Sequence, residues 1–63
     1  MTLLIQAQDL LKQHLTIELL RHLFKLEKLA HGEEADQIGE LWEAVIADAD
    51  EALLDEARKE GLI

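Results

Sequence analysis

The sequence predicts an all-α protein, an antiparallel helical hairpin that pairs with a second copy into a homodimeric four-helix bundle. Three observations lead there. Apolar residues recur at steps of three and four along both halves of the chain. One tight break, His31-Gly32-Glu33, divides those halves. The first half also carries more apolar side chains than one facing helix can cover.

The first arm is expected over residues 2–31, with Thr2 as a candidate N-cap. Advancing about 100° per residue, Leu3, Leu4, Ala7, Leu10 and Leu11 cluster in one direction. Leu15, Leu19, Leu23, Leu26 and Ala30 cluster roughly 120° away, and Leu20 and Phe24 widen that second face. Two explanations fit. The helix runs on and its two faces serve different neighbours, or it breaks near residues 13–16 with Thr16 capping a separate helix. Thr16 has Leu19 three residues on, where a full capping box would have Glu. Residues 12–16 hold no strong breaker, so we take the arm as continuous or kinked, with a three-helix chain as the alternative.

The turn follows from glycine and charge. Lys25, Lys28 and His31 precede Gly32, where a helix C-terminus favours cations. Glu33, Glu34 and Asp36 follow it, where the next N-terminus favours anions. Connections this short join antiparallel neighbours. Gly61, preceded by Arg58 and Lys59, repeats the stop signal at the far end.

The second arm is expected over residues 34–60. Ala35, Ile38, Leu41, Trp42, Val45, Ala49, Ala52 and Leu53 form one stripe. Gly39 borders it, either admitting a close neighbour or simply tolerated at a cost of about 1 kcal/mol relative to Ala. Trp42 sits mid-stripe, a position for a core residue whose indole N–H reaches the edge.

Length and composition bound what such a chain does. Residues 1–63 make a single helical domain, and one this short is marginal as a monomer. Without cysteine it has neither disulfides nor thiolate metal sites, so a second subunit is the natural staple. Leu3, Leu10, Ile17 and Phe24, together with Trp42, are the expected interface. Burying a Leu-sized side chain is worth roughly 1.5–3 kcal/mol, so leaving several open would forgo much of a small domain's stability.

Charge narrows the partners. The net charge is −8. The cations of residues 1–32 slightly exceed their carboxylates, whereas residues 33–63 set Arg58 and Lys59 against eleven acids. Such a half repels a polyanion, which argues against nucleic acid and for a basic protein surface. The bland alternative is that the acids only keep a helical protein soluble. No apolar run approaches the roughly 20 residues of a membrane span, and no basic segment precedes Leu3-Leu4-Ile5 as a secretory signal would require. A cytoplasmic protein without membrane contact is expected.

Chemistry finds little footing. Cys, Ser and Tyr are absent, and Thr2 and Thr16 are the only threonines, so no nucleophilic enzyme and no cofactor are expected. His14, Glu18 and His22, spaced i, i+4 and i+8, would share a face of a continuous helix. They are the one candidate metal set, a zinc-type ligand group, against a solvated polar strip completed by Arg21 and Lys25. Glu27 and His31 repeat the i, i+4 spacing, but His31 beside Gly32 is better placed to meet the helix dipole. The acids Asp48, Asp50, Glu51, Asp55 and Glu56 lack the spacing of a calcium loop.

Leu20, Leu23, Lys25, Leu26 and Leu29, then Glu33, Ala35, Asp36, Leu41 and Leu53, give the chain a resemblance. With the bend near residues 30–33, it resembles the Rop (repressor of primer) family of plasmid copy-number regulators. The stretch Glu33-Glu34-Ala35-Asp36 is the most specific part. The resemblance implies a cysteine-free hairpin dimerised as an antiparallel four-helix bundle. It also implies an RNA-binding regulator that reads kissing loops through a polar and basic strip with one aromatic. At the corresponding places this chain has Leu3, Leu10, His14 and Glu18, and keeps only Lys25. The leading expectation is therefore a small non-catalytic regulator or adaptor acting through protein–protein contact, with an RNA-binding regulator and a metal-binding bundle as alternatives.

Overall fold

A computed structural model describes residues 2–63. Among them are four α-helices: α1 (Thr2–Leu10), α2 (Ile17–Leu29), α3 (Gly32–Asp48) and α4 (Glu51–Lys59). Both expected arms are divided. A continuous helix over residues 34–60 would be about 40 Å long at 1.5 Å per residue. The largest principal extent of the molecule is 31 Å.

The first division is the one the two apolar sectors foreshadowed. After Leu10 the chain tightens, with the N–H groups of Lys12 and Gln13 bonded to the carbonyls of Asp9 and Leu10 at 3.2 and 3.1 Å. It then leaves the helix as far as Thr16, which is extended and whose hydroxyl accepts from the Leu19 N–H at 3.2 Å. The break lets Ala7 of α1 and Leu19, Leu20, Leu23 and Leu26 of α2 enter one core despite the angle between their sectors. The continuous first arm thus gives way to the capped alternative.

The second division, at Ala49–Asp50, departs from the continuous second arm. Asp50 caps α4 in the same manner, its Oδ1 accepting from the Leu53 N–H at 2.8 Å. The break changes which face is buried. Ile38, Trp42 and Val45 are buried on α3, then Leu54 and Ala57 on α4, while Ala52 is exposed and Leu53 only half-buried. On an unbroken helix Leu54 would point about 180° from Val45.

Thr2 lies inside α1 rather than before it. The Leu4 N–H, one of the donors a helix start leaves open, is met from across the fold by Oε2 of Glu34 at 3.1 Å. Gly32 has φ +58° and turns the chain from the extended Ala30-His31 pair into α3. Gly61, with φ +77°, closes α4 in a Schellman motif. There Leu62 N–H bonds Ala57 O at 2.9 Å and Gly61 N–H bonds Arg58 O at 3.1 Å.

α2 is central, touching α1, α3 and α4, and α1 also lies along α3. The core between them is wholly apolar among the described residues.

Candidate functional groove

Where α1 lies along α3, the two helices do not close fully. Gln37, Leu41, Ala44 and Asp48 recur at steps of four, three and four on α3, with Glu40 and Glu43 beside them. Leu4, Gln8 and Leu11 do the same on α1 and its last turn. A cavity of about 650 Å³ opens between Leu4, Gln8, Leu41 and Ala44. A second of about 180 Å³ shares Ala44 with it and adds Leu11, Leu15 and Asp48. A third, about 340 Å³, shares Leu15 and Asp48 and reaches Asp50 and Leu53. Through these shared residues the three follow one another along α3, and together they are called the groove below.

Its floor and rim differ in chemistry. Leu4, Leu11, Leu15, Leu41 and Leu53 are half-buried and pack on the core from its edge. Glu40, Glu43, Asp48 and Asp50 are exposed on the rim, and no Lys or Arg lines any of the three cavities.

The side chains expected to form an interface lie outside the groove. Leu3 and Leu10 of α1 and Ile17 and Phe24 of α2 are half-buried against the chain's own core. Lys28 holds its ammonium 5.0 Å from the centre of the Phe24 ring. Trp42 is 7% exposed, in the core, with its indole N–H donating to Glu27 Oε1 at 3.1 Å. The large apolar side chains left open are others: Ile5 (59% exposed), Leu29 (55%), Ile46 (47%) and Ile63 (40%).

His14, Glu18 and His22 do not share a helix face. The break puts His14 in the non-helical link before Thr16, while Glu18 and His22 belong to α2. No group of three or more His, Asp or Glu among the described residues is arranged to hold a metal ion. His31 flanks α3 in extended backbone, with no side-chain cap bond. Of the acids, Asp50 is a helix cap and Asp55 pairs with Arg58 at 2.9 Å. No helix among the described residues is long and apolar enough to cross a membrane.

Sequence reasoning missed the groove, although a signal was present. Leu41 and Ala44 run beside the Ile38-Trp42-Val45 stripe and make the apolar face of α3 wider than that stripe alone.

Comparison with protein-family models, with curated proteins and with solved structures finds no match to this chain.

Proposed function

We propose that the chain is a small non-catalytic interaction protein, a regulator or adaptor that acts by holding another protein. The observation that carries this reading is the leucine-floored groove between α1 and α3, left open after the chain has built its own core. Grooves of this make are used by proteins that bind helical segments of others. The lack of Cys, Ser and Tyr supports a non-catalytic role, and the acidic rim favours a protein over a nucleic-acid partner.

Self-association is a second reading, favoured by Ile5, Leu29, Ile46 and Ile63, which are exposed and lie outside the groove. A homodimer through them would join two four-helix units rather than two hairpins.

Sedimentation equilibrium of the wild type, Leu41→Glu and Ile46→Glu, with cross-linking to cellular proteins, tests both. Loss of a specific partner in Leu41→Glu alone supports the groove. A dimer broken by Ile46→Glu alone supports self-association. If neither charge alters self-association or any partner contact, the interaction reading is wrong.

A further inference from the structure

The groove's shape and charge specify more than an unnamed protein partner. The segment of α3 from Gln37 to Asp48 runs about 17 Å at 1.5 Å per residue, the length of roughly three helical turns. Along it the floor offers Leu4 and Leu11 on the α1 side and Leu41 and Ala44 on α3, which suits a guest helix carrying apolar residues at i, i+3, i+4 and i+7. The rim bears Glu40, Glu43, Asp48 and Asp50, with no Lys or Arg among the lining side chains and His14 at the end near Asp50.

We propose that this groove takes a basic amphipathic helix from another protein, about three turns long. Its apolar face seats on Leu4, Leu11 and Leu41, and its Lys or Arg residues meet Glu40, Glu43 and Asp48. The inference deepens the interaction reading above and rests on it. Charge selects this occupant over a second copy of the chain. Two copies joined through the groove would bring Glu40, Glu43 and Asp48 of both together, and like charges across an interface are costly. The net charge of −8 adds repulsion at longer range.

The test uses the full chain and defined synthetic peptides of about 14 residues, long enough to cover the groove at helical rise. One peptide has Leu at i, i+3, i+4 and i+7 positions and Lys elsewhere. A second replaces Lys by Glu, a third replaces it by Gln, and a fourth scrambles the first. Calorimetry gives affinity, and backbone amide shifts give location. The Lys peptide is expected to bind with a Kd of about 1–10 µM, moving Gln8, Leu41 and Ala44 first. Ala44→Arg, at an exposed position, is expected to abolish this with the helical content unchanged. The triple variant Glu40→Gln, Glu43→Gln, Asp48→Asn is expected to weaken it about tenfold or more, with a smaller dependence on salt.

Equal binding of the Lys peptide and its scramble would overturn the inference, because bulk charge alone would then explain the contact. So would shifts confined to α4. Binding of the Gln or Glu peptide in the groove as tightly as the Lys peptide removes the basic partner and leaves the interaction protein standing. No binding of any amphipathic peptide, in a chain that stays monomeric, removes both.

Discussion

Trp42 on α3 donates its indole N–H to Glu27 on α2 at 3.1 Å. The other oxygen of that carboxylate lies 3.1 Å from where a Cβ on Gly39 would stand. Gly39 therefore does not admit a neighbouring backbone. It makes room for the carboxylate that ties α2 to the tryptophan one turn further on. Since the crowded atom ends a flexible side chain, Gly39→Ala is expected to be tolerated. It gains about 1 kcal/mol of helix propensity and loses part of that by loosening the Glu27–Trp42 bond. Urea unfolding should show a net gain of about 0.5 kcal/mol with altered Trp42 emission. In a Glu27→Ala background the gain should approach the full value. Equal gains in both backgrounds would mean that Glu27 does not restrain the site.

The two inner breaks each rest on one cap. Thr16→Ala and Asp50→Ala are each expected to cost about 1 kcal/mol, the usual loss for such caps. Their patterns should differ. Asp50→Ala should speed amide exchange in α4 and leave α1 to α3 protected, because α4 packs mainly on α2. Thr16→Ala removes the cap of the central helix and should lower protection throughout the core. Hydrogen exchange followed residue by residue separates the two cases.

Arg21 on α2 clamps Glu60 at the end of α4 through two bonds, Nε to Oε1 at 2.8 Å and Nη2 to Oε2 at 2.6 Å. These bonds, and then the nearby positive charge, hold the Glu60 carboxyl below the usual carboxylate range. The contribution is therefore present above the unfolded-state pKa. It is lost as the pH falls through the lower, folded-state value. Glu60→Gln should flatten that part of the acid limb of a thermal-stability profile, and Arg21→Gln should do the same. The pair is solvent-exposed, so the difference should be small and shrink in high salt. A Glu60→Gln profile that parallels the wild type from neutral to acid pH would contradict the assignment.

Glu34 meets the Leu4 N–H from the first turn of α3, tying the start of α1 to a residue 30 positions away. Glu34→Ala is expected to cost about 1 kcal/mol, as the loss of an anionic cap does. The Leu4 amide should then exchange faster, and α1 should fray before α2. Unchanged Leu4 exchange would show that the contact does not hold the helix.

Much of this architecture was legible beforehand. Ile38, Trp42 and Val45 at steps of four and three marked the buried face of α3, and all three are buried. Gly32 and Gly61, read as a turn and a stop after apolar, cation-ended segments, both take positive φ. Thr16 is readable as a cap, since the two apolar sectors change direction around it. Asp50 is not, because Val45, Ala49, Ala52 and Leu53 keep helical spacing straight through it. A side-chain cap competes with helix continuation only locally, and nothing local shows which side prevails. Of the groove, the apolar side chains were visible in the sequence but their arrangement between α1 and α3 was not. Leu3, Leu10, Ile17 and Phe24 are half-covered by the chain's own helices.

The sequence by itself determined the helical class, the turn at Gly32, the final cap at Gly61 and the acidic character of the second half. Those follow from spacing, glycine conformation and charge, which act within a few residues. The tertiary structure alone decided the break at Ala49–Asp50, the turn of α4 that buries Leu54 and Ala57, and the groove where α1 meets α3. These depend on which helices share a core. Burying Ala57 of α4 in the core shared with α2 favours the fold over a straight α3 by an energy that exists only once the other helices are in place.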